Sequence, residues 1–137
     1  MNEVFETALE IAAKAHKGQV DKNGVAYITH PLAVAAQLGS LELKTIAILH
    51  DTIEDTNVTA EYLIECGIPK ELVEVVQLLT KPKDEDYESY LKRVRENPMA
   101  KAVKLADLAH NTSPERANGL NEKRKAKYAL AKRILTE

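Results

Sequence analysis

The apolar run Thr45-Ile46-Ala47-Ile48-Leu49 opens directly onto His50-Asp51-Thr52-Ile53-Glu54-Asp55. A segment that reads as buried helix thus ends in four ionisable groups with no polar spacer between, so the fold must place a charged cluster against its own core. Residues four apart on a helix share a face. A continued helix would set His50 over Glu54 and Asp51 over Asp55. Three carboxylates and an imidazole at the edge of a core repel and desolvate one another unless a counter-charge is present. A divalent cation is the simplest counter-charge. The alternative, a solvated helix end with ordinary surface acids, fits poorly behind so apolar a run.

The remaining periodicity is helical throughout. Val4, Ala8, Leu9, Ile11, Ala12 and Ala15 mark a first helix to about His16. Asn23-Gly24 is a turn signal, and a hairpin is one reading of residues 17–24, although the flanks are too short for a sheet. Pro31 suits the first turn of a helix that begins near His30 and stops near Gly39. Leu43 to Leu49 is the third. Thr59 is a fair N-cap for Ala60 to Cys66, and Glu71 to Leu79 follows. Tyr87, Tyr90, Leu91 and Val94 mark a helix ending before Pro98, Ala100 to Ala109 another, and Asn121 to Leu135 the last. The expectation is an all-α domain of seven or eight short helices.

Composition limits the classes of function. A chain of 137 residues with 45% hydrophobic and 29% charged residues has enough apolar side chain for a core. Its net charge of −2 offers no global basic field to nucleic acid, so no nucleic-acid partner is expected. No apolar stretch is long enough to span a bilayer, and the acidic N-terminal segment does not read as a signal peptide. Cys66 stands alone, so no internal disulfide can form, and a reducing cytoplasm is the expected compartment.

There are four histidines: His16, His30, His50 and His110. His30 immediately precedes Pro31, His50 precedes Asp51, and His110 follows Lys104-Leu105-Ala106-Asp107. Asp107 interrupts an apolar helix stripe, where a charge is rarely left unpaired; a salt bridge to a Lys or Arg is the plain reading of it alone. Together His30, His50, Asp51 and Asp107 make a mixed N/O donor set suited to Mn²⁺ or Fe²⁺, with positions left for water and substrate. They lack the thiolates of a structural zinc site. Sequence distance alone leaves open whether they meet.

Four segments, in order, carry a resemblance: Ala15-His16-Lys17-Gly18-Gln19, Tyr27-Ile28-Thr29-His30-Pro31, Leu49-His50-Asp51-Thr52-Ile53-Glu54-Asp55-Thr56, and Val103-Lys104-Leu105-Ala106-Asp107 with His110-Asn111. They resemble the HD metal-dependent phosphohydrolase superfamily, above all the hydrolase domain of RelA/SpoT-type proteins and the small alarmone hydrolases. The resemblance implies one HD hydrolase domain over residues 1–137, without the synthetase domain of the long members. It implies that His30, His50, Asp51 and Asp107 bind one Mn²⁺, and that Glu54 and Asp55 position or activate the attacking water. It implies a small-molecule nucleotide substrate, guanosine tetraphosphate or pentaphosphate, which loses its 3′-pyrophosphate. Lys22, Tyr27 and Asn111 match substrate-contacting positions.

Two departures stand out. Asp21-Lys22 replaces the family's Arg-Lys, whose Arg packs on the guanine base, and Leu108 replaces another Arg. An acid cannot supply a cation over a purine ring. Hydrolysis of another nucleotide or phosphorylated metabolite therefore stays open, as does a non-catalytic metal- or nucleotide-binding regulatory module. Oligomeric state is not legible. Asp51→Ala is expected to abolish both Mn²⁺ binding, read by calorimetry, and turnover; turnover that survives this substitution would mean that the site lies elsewhere.

Overall fold

The computed structural model describes residues 2–117 and 120–137, apart from the side chains of Glu115 and Ala117. Ten helical segments follow in order among the described residues: α1 (Asn2–Ala15), α2 (Thr29–Ala36), α3 (Leu41–Leu49), α4 (Thr52–Asp55), α5 (Ala60–Glu65), α6 (Lys70–Leu79), α7 (Tyr87–Arg95), α8 (Pro98–Asn111), α9 (Pro114–Ala117) and α10 (Glu122–Thr136). The eight longer ones correspond to those read from periodicity. The two extra segments, α4 and α9, are single turns of four residues, too short to give a periodic signal.

Local chemistry sets the boundaries. Ser40, Thr59, Asp86, Asn97 and Asn121 each accept a backbone N–H with the side chain and so start α3, α5, α7, α8 and α10. Pro98 sits in the first turn of α8, where its missing N–H costs nothing. That helix therefore begins two residues earlier than its apolar stripe, and it runs on to Asn111. In the 17–26 segment only one antiparallel bridge forms, between Val20 and Ala26. The Asp21 N–H donates to the Val25 carbonyl, and Gly24 turns the chain with a φ of 78°.

Helix α3 is the central element. It packs against α1, α2, α6 and α8, while α10 closes over α7 and α8. Its residues Ile46, Ala47, Ile48 and Leu49 are fully buried, together with Leu63, Val73, Val76, Leu91, Val94 and Leu135. The C-terminal half of α3, Thr45 to Leu49, is buried at every position and so enclosed on every side. The charged residues that follow it are accordingly held deep in the fold. Truncating Leu91, which has no exposed surface, to Ala is expected to cost about 2–5 kcal/mol in urea unfolding. Ile64→Ala, at an exposed position, should cost within about 0.5 kcal/mol.

Candidate metal centre

The helix ends at the dyad. The Ala47 carbonyl accepts both the backbone N–H of His50 and its ring Nδ1–H, and Thr52 Oγ1 donates to the Leu49 carbonyl. Side chains that bond local carbonyls compete with the helical ladder, so α3 stops at Leu49 and α4 starts afresh at Thr52. The continuous helix that would set His50 over Glu54 is therefore interrupted. The Asp51–Asp55 relation survives as a backbone bond, from the Asp55 N–H to the Asp51 carbonyl. The Nδ1 bond has a second effect: it fixes the tautomer of the neutral ring and leaves Nε2 of His50 as the nitrogen that can take a cation, a proton or a metal ion.

Three distant segments meet around that atom. His30 on α2, His50 after α3 and Asp107 on α8 are all buried, and each offers a donor atom within 4.8 Å of the others. His30 Nε2 lies 2.8 Å from Asp107 Oδ1, and His50 Nε2 lies 3.6 Å from the same oxygen. Asp51 is not one of that mutually close trio. Its Oδ2 nevertheless stands 3.2 Å from His50 Nε2 and 3.9 Å from His30 Nε2. Two ligands cis on an ion with bonds of about 2.1 Å stand about 3 Å apart, the scale of these separations. His50 Nε2 is buried and makes no hydrogen bond, although it faces two carboxylates. A buried imidazole nitrogen without a hydrogen-bond partner, among carboxylate oxygens, is the arrangement that a divalent cation satisfies, so the residues present fit such an ion.

The charges agree with this geometry. Burial opposes ionisation of Asp107, but the Lys104 ammonium beside it, together with His30 and His50, holds its carboxyl well below the usual range. Burial likewise opposes ionisation of Asp51, yet the charge of His50 and the Tyr27 hydroxyl hold it down, at about 2. Burial disfavours charge on His50 too, but Asp51 and Asp107 outweigh it and raise the imidazole above its ordinary value. The carboxylates stay ionised and attract positive charge.

A further set of side chains holds these donors in place. The Tyr27 hydroxyl donates to Asp51 Oδ2 at 2.6 Å, and its ring packs against those of His16 and His30. This Tyr, expected to contact substrate, thus has its hydroxyl committed to Asp51. His30 Nδ1 pairs with Nδ1 of His110 at 2.8 Å. Lys104 Nζ pairs with Asp107 Oδ2 at 3.0 Å, and Asn111 Nδ2 donates to Asp107 Oδ1 at 3.3 Å. Lys104 is thus the partner in the salt bridge expected of Asp107, though the sequence alone assigns a role by name to neither it nor His110. The only signal was their spacing of three residues on either side of Asp107, within one helical turn.

A cleft of about 530 Å³ opens beside the cluster and includes His50, Asp51 and Glu54 in its wall. Glu54 accepts the Lys81 backbone N–H at 2.9 Å. Asp55 does not line this cleft. Its backbone carbonyl accepts from Gln19, and burial, Asp51 and Glu54 push its carboxyl up. Asn111 and Tyr128 continue the wall into a smaller cavity that holds Lys22, Arg116 and Arg124. Asp21 lines that cavity too, but its Oδ1 accepts the N–H groups of Asn23 and Val25, so this acid serves the turn. Leu108 is buried and faces a separate apolar cavity of about 570 Å³ between α8 and α10. That cavity is the larger, yet it holds none of the clustered ionisable groups. Among the described residues, no helix is long and apolar enough to cross a membrane.

This fold and cluster define a class: the chain belongs to the HD domain family, whose profile matches residues 8–133. Membership implies divalent-cation binding, and the His30–His50–Asp107 cluster provides donors for it. Among individual proteins, the chain is 40% identical over 116 residues to the bifunctional (p)ppGpp synthase/hydrolase SpoT of Escherichia coli K12, covering 74% of this chain and 16% of that protein. It is 34% identical over 127 residues to a GTP pyrophosphokinase of Myxococcus xanthus, covering 80% of this chain and 17% of that one. The chain thus spans about a sixth of the length of these relatives. A solved structure described as a metazoan ortholog of SpoT that hydrolyses ppGpp superposes with a TM-score of 0.75 at 24% identity, covering 96% of this chain and 83% of that one.

Removing the Tyr27 hydroxyl tests the supporting bonds. Tyr27→Phe is expected to weaken Mn²⁺ binding about tenfold in a calorimetric titration, the usual cost of losing a hydrogen bond to a metal ligand, while the thermal midpoint of the metal-free protein changes little.

Proposed function

We propose that this chain is a metal-dependent phosphohydrolase that removes the 3′-pyrophosphate of guanosine tetraphosphate or a related nucleotide. In this reading His30, His50, Asp51 and Asp107 hold one Mn²⁺, and residues 1–137 act as one HD domain in the cytoplasm. The observation that carries it is the orphaned Nε2 of His50, buried with three potential ligands beside an open cleft. The (p)ppGpp synthase/hydrolase activity of SpoT and the ppGpp hydrolysis of its metazoan ortholog support the choice of substrate.

When bound, the ion supplies Lewis acidity to a phosphoryl oxygen and acidifies water. The chain's own residues do the rest. Glu54 sits in the cleft wall beside Asp51, its carboxylate steadied by the Lys81 N–H, where it accepts a proton from the attacking water. The water oxygen bonds to the phosphorus nearest the ribose, the bond from that phosphorus to the 3′ oxygen breaks, and its electron pair returns to the oxygen, which takes up a proton. Asp55 lies outside the cleft wall and acts through the turn it shares with Glu54. Asn111 and Tyr128, which line both cavities, flank the nucleoside. Lys22, at the far cavity, meets its 5′ end.

Glu54→Gln is expected to leave Mn²⁺ affinity within about twofold, since the residue is not a ligand, and to lower kcat by about 10²–10⁴. Pyrophosphate released from guanosine tetraphosphate by the Mn²⁺-loaded protein is the assay. A wild-type protein that binds Mn²⁺ and cleaves none of a broad nucleotide panel would overturn the enzymatic reading in favour of a regulatory module.

A further inference from the structure

The wall of the cleft facing α3 carries positive charge held in an unusual way. Tyr87 and Tyr90 of α7 stack with ring centroids 6.1 Å apart. The Lys127 ammonium of α10 lies 4.6 Å from the centroid of the Tyr87 ring, and that of Lys104 of α8 lies 5.6 Å from the Tyr90 ring. All four residues line the same cleft as His50, Asp51 and Glu54. The Tyr90 ring is fixed, since its hydroxyl donates to the Leu79 carbonyl at 2.6 Å. Burial raises both phenols, Tyr90 to about 12, so the rings stay neutral.

An aromatic face holds an ammonium by its quadrupole without cancelling its charge. A carboxylate would hold it and neutralise it. Lys127 has no carboxylate within ion-pair distance among the described residues, and the one such partner of Lys104 is the buried Asp107. Burial and the neighbouring Lys104, Arg124 and Lys81 push the Lys127 ammonium down and outweigh the opposing pull of Glu54, the mark of positive charge gathered in one place. Of the glutamates and aspartates on this side of the cleft, Glu85 pairs with Arg93, Asp86 caps α7, and Glu54 accepts the Lys81 N–H.

We propose that Lys127, seated on the Tyr87 ring of the Tyr87–Tyr90 pair, is an anion clamp in the wall of the cleft that also holds His50 and Asp51, and that the clamp takes the phosphoryl oxygens of the substrate's pyrophosphate. This rests on the hydrolase reading above and deepens it. The pyrophosphate would then meet the Lys127 ammonium from one wall and, from another, an ion held by His30, His50, Asp51 and Asp107. Charge that spreads over the phosphoryl oxygens in the transition state is then met from both sides.

The test is binding of inorganic phosphate to the Mn²⁺-loaded protein, followed by calorimetry at low ionic strength and alongside a separate Mn²⁺ titration. Phosphate is the probe because pyrophosphate would strip the ion. Lys127→Met keeps the aliphatic stem and should weaken phosphate about tenfold while leaving Mn²⁺ affinity unchanged. Tyr87→Phe keeps the aromatic face and should behave as wild type, whereas Tyr87→Leu should reproduce the Lys127→Met loss. Undiminished phosphate affinity in Lys127→Met would overturn the clamp, and so would loss of Mn²⁺ binding in step with phosphate, because the effect would then be one of folding. A phosphate loss confined to Lys127→Met and Tyr87→Leu supports the clamp even if no nucleotide is hydrolysed, which would sink the hydrolase reading alone. Normal turnover of guanosine tetraphosphate by Lys127→Met, with unchanged KM, would sink the clamp and spare the hydrolase.

Discussion

A carboxylate buried in a helix bundle is tolerated only when each of its oxygens is met, and Asp107 is the point at which this fold satisfies that demand. Its Oδ2 takes the Lys104 ammonium, and its Oδ1 faces His30, His50 and Asn111. Those partners come from α2, the end of α3 and α8 itself. One side chain thus ties together three helices that are far apart in sequence. Leaving it unpaired would cost several kcal/mol, a large fraction of a small domain's stability. The packing of α2 and α3 on α8 and the chemistry of the site are the same constraint seen twice.

Much of this was legible in the sequence, and the parts that were not have physical reasons. The long helices announced themselves through apolar spacing, and Thr59 and Pro31 acted at the positions their chemistry favours. The convergence of His30, His50 and Asp107 follows from buried polar groups needing partners, although no spacing could show that they met. The break at His50 was hidden because it depends on where an imidazole points. The Ala47 carbonyl takes the ring Nδ1–H as well as the backbone N–H, so a helix that pattern alone would continue stops there. His110 and Lys104 escaped for a similar reason: a His and a Lys one turn from an acid are common on surface helices, and only burial makes them partners.

The two departures from the family pattern turn out to differ in kind. Leu108 replaces a cation with a core residue, buried against the apolar space beneath α10, so the change falls in the packing and not in the wall of the cleft beside the clustered donors. Asp21 does stand at the mouth of the smaller cavity, but its carboxylate is spent on the N–H groups of Asn23 and Val25. The acid there is as much a turn device as a change in recognition. Arg116 and Arg124 border the same cavity from the other side, so the local balance of charge remains cationic.

The 17–26 segment has one further consequence. Its stem is wired to the buried centre: Tyr27 N–H bonds to the Gln19 carbonyl, Gln19 reaches His16 and the Asp55 carbonyl, and the Tyr27 hydroxyl ends on Asp51. Its tip, residues 22–24, is exposed and makes no such connection. An anchored stem and an unanchored tip are thereby separated within ten residues of chain. A different tip can be grafted between Asp21 and Val25 to meet a different small molecule while the machinery beneath is inherited intact, which makes this loop a natural place for one scaffold to diversify.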